Sequence, residues 1–461
     1  MTALTRIISL GFAALAIAAC GGSPDRPASD AEFNVPVHYS RLDNGLRVVL
    51  SEDHTAPIAT VAVYYNIGFR IEPRGRTGFA HLFEHMMFQG SENLGKMEFV
   101  RLIQANGGVL NGSTRFDFTN YFEIVPAHTL ETMLWAEADR MRGLAITQDN
   151  LTNQQGVVKN EVRVNVLNQP YGGFPWLTMP QVANENWYNA HNFYGDLAEL
   201  DAATLEDVQA FFETYYAPNN AVVVVTGDFD SAQTLAWVDE HFGDIPAAEL
   251  PPQPDIAEPR QEAEKRDVIR DKLANRPALA FGYHMPERNT PEYFAMGLID
   301  QLLLQGDDSR LYQRLVRERG YADSVPGGIN WPLGNQYNYA GPMLWMGMLI
   351  HDAAHEPDAI VADLDAVIAE LQTELVPPDE LARARVKLRA DLFNTIGGFY
   401  GFGRADLLAS FALFDDDPAR INALEAEFDK VTPELIRATA QEYLRATNRT
   451  IQTLVPQSGE E

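Results

Sequence analysis

The sequence predicts an α+β fold made twice: two homologous domains from an internal duplication, each a mostly antiparallel sheet packed with helices. Three observations predict it. The chain has 461 residues, too many for one ordinary hydrophobic core. Stretches with the two-residue period of strands are interleaved with stretches of helical period. Finally, segments of the first half recur in the second in the same order and at nearly one offset. "TLEDVQAFFETYYAPNNAVVVV" lies over "TPELIRATAQEYLRATNRTIQT", so that Thr204 meets Thr432, Tyr215 meets Tyr443 and Asn220 meets Asn448. "HLFEHMMFQG" lies over "GLIDQLLLQG", and "LTNQQGVVKNEV" over "LARARVKLRADL". Any one match could be two amphipathic helices resembling each other; three in order argue for a repeated unit.

In chain order, "LDNGLRVVLSEDHTAPIATVAVYYNIGF" reads as strands, with Asn44-Gly45 as a hairpin turn. A helix is predicted over about 78–88. "GKMEFVRLIQANGG" is a second helix, stopped by Gly107 and Gly108. "VLNGSTRFDFTNYFEIVP" alternates like a pair of strands. "HTLETMLWAEADRMRG" and "NLTNQQGVVKNEVRVNVLN" are helical, "TLEDVQAFFETYY" is a helix capped by Thr204, and "NNAVVVVTGDFD" is a buried strand. Pro251, Pro252, Pro254 and Pro259 mark a linker. The expected organisation is therefore a first domain over 35–249, a linker over 250–265 and a second domain over 266–455.

The first twenty residues read as a targeting segment. Arg6 precedes an uncharged run, 7–19, that is short for a bilayer span and suits a signal-peptide core. It ends in Ile17-Ala18-Ala19-Cys20, which resembles the bacterial lipobox, whose cysteine is lipidated. Cys20 is the single cysteine, so no disulfide is expected. The alternative is a plain secretory signal with a chance cysteine. Residues 21–34 are a polar Gly/Ser/Pro tether. The expectation is a bacterial periplasmic protein anchored to a membrane by lipid; Gly21 after Cys20 favours the outer membrane. Asp and Glu outnumber Lys and Arg, 64 to 35, for a net charge of −29. A surface this negative repels nucleic acid. It favours cationic ligands, or simply solubility.

The chemistry concentrates in "GFAHLFEHMMFQG". On a helix, His81 and His85 share a face and can grip one ion, with Glu84 beside them to take a proton from a water that the ion activates. The five residues alone leave a second reading open, a helix that carries two histidines. His351 and His355 have the same spacing without the glutamate, and Pro357 follows at once, so that pair is assigned to a loop or helix start.

The flanking segments decide between the readings. "LDNGLRVVL", "GFRIEPRGRTGFAHLFEHMMFQGSENL", "NGGVLNGSTRFDFTNYFE", "QQGVVKNEVR" and "YYAPNNAVVVVTGDFD" together resemble the pitrilysin/insulinase family of zinc metallopeptidases, the inverted zincins, in the compact branch that includes the bacterial members and the mitochondrial processing peptidase. The resemblance implies two pitrilysin-like domains and one zinc ion per chain, held by His81, His85 and Glu161 of "VVKNEVR", with Glu84 as general base. It implies a zinc-dependent endopeptidase acting on peptides or unfolded segments. Some relatives carry another glutamate seven residues before the third ligand; here Gln154 stands there. Asn111, Gly112 and Ser113 match the edge strand on which family members bind substrate in extended form; the alternative is an ordinary polar edge. The second half has Gly297, Asp300 and Gln301 where the first has His81, Glu84 and His85, so it is expected to be non-catalytic.

Family members often place an arginine and, seven residues on, a tyrosine in that second half to hold substrate. Aligning "SRLYQRLVRERGYADSV" puts Val316 and Asp323 at those positions; a shifted alignment offers Arg314 with Tyr321. The first alignment implies a heterodimer with a homologous subunit that lacks the metal motif and supplies the pair. The second implies a homodimer. A non-catalytic structural or peptide-binding homologue is the alternative from another class.

Overall fold

The computed structural model describes residues 33–457; the expected signal segment and Cys20 lie outside them. Residues 1–34 form a separate unit of which only Phe33 and Asn34 are described, and the chain from Val35 forms the other. The strands are β1 (His38–Arg41), β2 (Arg47–Glu52), β3 (Ile58–Tyr65), β4 (Val109–Thr114), β5 (Thr119–Pro126), β6 (Ala221–Gly227), β7 (Lys265–Asp271), β8 (Ala278–His284), β9 (Gly327–Ile329), β10 (Leu344–Ile350) and β11 (Arg449–Pro456). Helices α1 (Phe79–Met86), α2 (Glu98–Ala105), α3 (Leu130–Arg142), α4 (Gln148–Val162), α5 (Met179–Ala183), α6 (Trp187–Ala190), α7 (Leu197–Ala202), α8 (Leu205–Tyr215) and α9 (Ser231–Phe242) belong to the first half. Helices α10 (Pro291–Leu303), α11 (Pro357–Thr373), α12 (Pro378–Gly397), α13 (Phe402–Asp415), α14 (Leu424–Asp429) and α15 (Pro433–Tyr443) belong to the second.

The strands make two sheets, one of six strands and one of five, that share one topology once the outer strand β1 of the first is set aside. The first runs β1-β2-β6-β3-β5-β4 and the second β7-β11-β8-β10-β9. Each has one parallel pair, β2 with β6 and β7 with β11, and is otherwise antiparallel. The matched segments fall on matched elements: α1 and α10, α4 and α12, α8 with β6 and α15 with β11. The fold is thus the duplicated α+β architecture that the repeats predict. Thr204 closes a capping box with Asp207 at the start of α8, and Thr432 caps α15 through Leu435 N.

The valine run of β6 is buried on both faces. Helices of the first half build a core on one face of the sheet, and α13 from the second half covers β6, β3 and β2 on the other. Polar ties hold α13 there. Tyr64 OH donates to Asp406 Oδ1 at 2.8 Å, Arg404 Nη2 meets Asp53 Oδ2 at 2.6 Å, and Arg47 Nη1 donates to the carbonyls of Ala412 and Leu413 near the helix C-terminus. Reciprocally, Met179 of α5 is fully buried against Ala278, Ala280 and Met346 of the second sheet. Each half lends a helix to the other's sheet. The proline-rich stretch between them is also packed: Asn189 Nδ2 donates to Ile256 O at 2.9 Å and to Glu258 Oε2 at 2.7 Å.

Two local expectations differ in detail. Helix α1 ends at Met86, two residues before the sequence pattern does. The helix predicted over "NLTNQQGVVKNEVRVNVLN" widens into a π-turn at Arg163–Leu167, directly after Glu161, as Asn168 N bonds Arg163 O at 2.9 Å.

Candidate metal centre

The site starts at the N-terminus of α1, which opens on Gly78 with φ of 82°. A side chain there would be strained in this left-handed backbone and would drive Cβ to 2.6 Å from Tyr194 O. Glycine has no side chain to cap the helix, so Glu72 does it from a distance. Its fully buried carboxylate accepts from Gly78 N at 2.9 Å and Ala80 N at 2.6 Å. Burial raises the Glu72 pKa, while His191 beside it works in the other direction. Glu199 accepts from Thr77 N at 2.9 Å and Thr77 Oγ1 at 2.7 Å. The start of α1 is thereby tied to the stretch 187–199.

From that fixed start, His81 and His85 point to one side one turn apart, and α4 packs alongside to bring in Glu161. His85 Nε2 lies 3.2 Å from His81 Nε2 and 3.2 Å from Glu161 Oε2, and His81 Nε2 lies 3.6 Å from the same oxygen. A tetrahedral ion at about 2.0–2.1 Å from each donor would space them roughly 3.3–3.4 Å apart. The three atoms therefore fit zinc without rearrangement. They form the one cluster of three or more His, Cys, Asp or Glu able to hold a metal among the described residues.

The protonation states suit the same role. Burial lowers His81 to a pKa of about 4, which leaves a neutral imidazole with a lone pair to give. Burial pushes Glu161 up, but the hydrogen bond from His85, the two imidazoles and Tyr194 outweigh it, so the carboxylate sits below its ordinary range. Tyr194 OH donates to Glu161 Oε1 at 3.2 Å, and burial with that neighbour raises the phenol to about 12. The Phe193 ring lies 4.7 Å from the His81 ring. Adjacent residues of one loop thus orient candidate ligands on two helices.

Glu84 faces β4. Thr114 Oγ1 donates to Glu84 Oε2 at 2.7 Å, and burial raises this carboxyl's pKa against that bond. A Cβ on Gly112 would lie 3.3 Å from Glu84 Cγ, so glycine there keeps the space beside the carboxylate open. Strand β4 pairs only with β5 and forms the edge of its sheet. Gly112 and Thr114 face α1; Asn111 and Ser113 face away, where Ser113 Oγ donates to Asn120 Oδ1.

The second half repeats this geometry with other chemistry. Gln301 Nε2 donates to Asp391 Oδ2 at 2.8 Å, where the first half has His85 and Glu161. Asp300, at the place of Glu84, accepts from Trp345 Nε1 at 2.7 Å and Gln305 Nε2 at 3.0 Å, and burial pushes its pKa up to about 7. At Gly297 a Cβ would fall 2.5 Å from Gln336 Oε1: the glutamine amide fills the room of the missing imidazole.

The other residues singled out by sequence stand apart from the centre. Gln154 is buried and donates to Asn153 Oδ1 at 2.8 Å. His351 and His355 lie in the loop before α11. Arg314 is paired with Glu318 at 3.0 Å, and Tyr321 OH donates to Asp363 Oδ2 at 2.7 Å. Val316 is half-buried, and the exposed Asp323 lies 3.6 Å from Arg276. Sequence reasoning missed Glu72, Thr114, Phe193 and Tyr194. Glu72 left a signal, an acid shortly before a helix start that lacks its own cap. Phe193 and Tyr194 left none, because the stretch around them has no periodicity.

Comparison with known proteins gives the family of the chain. Residues 47–174 match the family model "Insulinase (Peptidase family M16)", and residues 202–388 match "Peptidase M16 inactive domain". Zinc protease PqqE of Helicobacter pylori is 26% identical over 97% of this chain and 98% of its own. The insulin-degrading enzyme homolog of Dictyostelium discoideum is 29% identical over 48% of this chain and 23% of its own. Among solved structures, a protease from Helicobacter pylori superimposes with a TM-score of 0.84 at 24% identity, covering 92% of this chain and all of that one. The periplasmic protease PqqL of Escherichia coli superimposes with a TM-score of 0.73 at 19% identity, covering 93% of this chain but 48% of that one. With both halves matching models of one family, and with relatives along its whole length named zinc proteases, the chain belongs to the insulinase family of peptidases, M16.

Proposed function

We propose that the protein is a zinc-dependent endopeptidase of peptides or unfolded protein segments, with His81, His85 and Glu161 as ligands and Glu84 as general base. The observation that carries this reading is the convergence of three donor atoms, 3.2–3.6 Å apart, beside a carboxylate at an open sheet edge. Two neutral imidazoles and one carboxylate leave a divalent ion with net positive charge, and a zinc ion bound there supplies Lewis acidity. Glu84 takes the proton from the attacking water and passes it to the leaving amine. Its raised pKa makes it a stronger base for the first of these transfers, and Thr114 holds its carboxylate in place. The edge of β4, with Asn111, Gly112 and Ser113, aligns an extended substrate by backbone pairing, which tolerates many sequences.

The second half lacks the ligands, and Arg314 and Tyr321 are already engaged by acidic neighbours. That favours a heterodimer, in which a homologous subunit without the metal motif supplies an arginine and tyrosine to the substrate. The fold of Escherichia coli PqqL, in which this chain spans about half the length, is consistent with two such units acting together. The reading is tested by zinc analysis and by cleavage of a quenched peptide library. The chain alone should bind one zinc ion and be nearly inactive, with activity restored by the homologous subunit. Full activity of a homogeneous sample would replace the heterodimer with a homodimer; absence of zinc would defeat the reading altogether.

For location, we propose a periplasmic protein anchored through Cys20. No helix of the described residues is long and apolar enough to cross a membrane. Cys20→Ser should shift the protein from the membrane fraction to the soluble one. Unchanged partition would point to another attachment.

A further inference from the structure

On the face of the first sheet away from α1, Phe122 of β5 stands opposite Asn111 of β4. Phe402 stacks on its ring at 3.7 Å between centroids and 20° between planes, and Phe399 meets it edge-on at 5.8 Å and 88°. Phe122 is buried, whereas Phe399 is 55% exposed. Phe399 comes from the turn that joins α12 to α13, and Phe402 is the first residue of α13. This turn is tightly determined despite its glycines: a Cβ on Gly403 would fall 1.6 Å from Thr395 O, and Gly401 has φ of 92°. Phe399 itself has φ of 45°, a conformation that costs energy for an aromatic residue. The second half thus holds a large, half-exposed aromatic side chain in strained backbone against Phe122 of β5, the strand next to the edge of the first sheet.

We propose that Phe399, seated on Phe122, is a specificity-determining residue: it forms a subsite for one bulky apolar side chain of a peptide bound along β4. The inference rests on the reading of β4 as the substrate edge. A strand added to that edge sends its side chains alternately to the two faces. On the α1 face, Gly112 keeps the space beside Glu84 clear. On the other face the neighbours are Asn111 and, beyond it, the Phe122 and Phe399 rings. A substrate side chain there covers the exposed ring and is removed from water itself, while a polar one gains nothing. The subsite therefore selects apolar residues at a single register position, while the backbone pairing remains indifferent to sequence.

The test uses the full-length Glu84→Gln chain loaded with zinc in the assembly that is active with the wild-type chain, so that bound peptides stay intact. Labelled extended peptides, identical except for one Phe or Ser moved along the sequence, are titrated by fluorescence anisotropy. At one position Phe should bind about tenfold tighter than Ser, as expected for burial of one large apolar side chain. Phe399→Asn, which tolerates left-handed backbone, should reduce that preference to about twofold or less; Phe399→Gly, which relaxes the turn, should do the same, and Phe399→Trp should retain it. An unchanged preference in Phe399→Asn and Phe399→Gly proteins that melt like the parent would overturn the subsite. Loss of binding to every peptide, with the parent also failing to bind, would instead overturn the edge-strand reading on which it depends.

Discussion

Replacing Glu84 with glutamine should leave one zinc ion per chain and lower kcat on a quenched peptide by ~10²–10⁴-fold, the range for loss of a positioned general base. The argument is geometric. Glu84 is not among the three converging donors, so the ion does not depend on it. Its partner Thr114 Oγ1, at 2.7 Å, can donate to a glutamine oxygen as well as to a carboxylate, so the side chain keeps its place. Only the ability to accept and return a proton is lost. Zinc content by atomic absorption and turnover by fluorescence, measured on one preparation of the active assembly, separate the two roles. Near wild-type turnover in Glu84→Gln protein would remove this residue from the mechanism.

The second large effect is on the ligands. His81→Ala and Glu161→Ala should each lose zinc on dialysis and lose activity at least as completely as Glu84→Gln. Glu161 is the sharper case, because its carboxylate comes from a different helix and also receives the Tyr194 hydroxyl. Without it, two imidazoles on α1 remain, too few donors to retain the ion. Wild-type protein should also lose thermal stability on chelation, since an ion bound only to the folded state stabilises it by about 4 kcal/mol at a thousand times its Kd. Glu161→Ala protein should melt at the same temperature with and without chelator. A chelator-sensitive Glu161→Ala protein with full zinc occupancy would show that the third ligand lies elsewhere.

Both effects depend on groups whose legibility in sequence differs. The pairing of His81 with His85 is a property of any α-helix, whose 3.6-residue turn puts i and i+4 on one face, so the spacing was enough to propose it. The caps at Thr204 and Thr432 are equally local, each satisfied within one turn. The duplication was legible too, because matched amphipathic patterns must bury the same faces in both halves; β1 aside, the two sheets have the same strand order. The segments around the motif carried a resemblance that pointed to Glu161, although no periodicity connects it to α1.

Other features were decided by tertiary structure, because they depend on where distant segments meet rather than on any local repeat. Strand β4 is an edge because β5 alone pairs with it; the family resemblance implied this, but an alternating pattern by itself does not encode sheet order. Glu72 caps α1, and Tyr194 and Phe193 contact Glu161 and His81, because the stretch 187–199 folds back over the helix start. Gln336 fills the counterpart site of the second half from a loop remote in sequence from Gly297. The sequence by itself determined the helical spacing of His81 and His85, the carboxylate of Glu84 beside them and the repeated architecture. Packing decided which side chains close around the site, since close contact between segments far apart in the chain follows from how whole helices and sheets bury their surfaces.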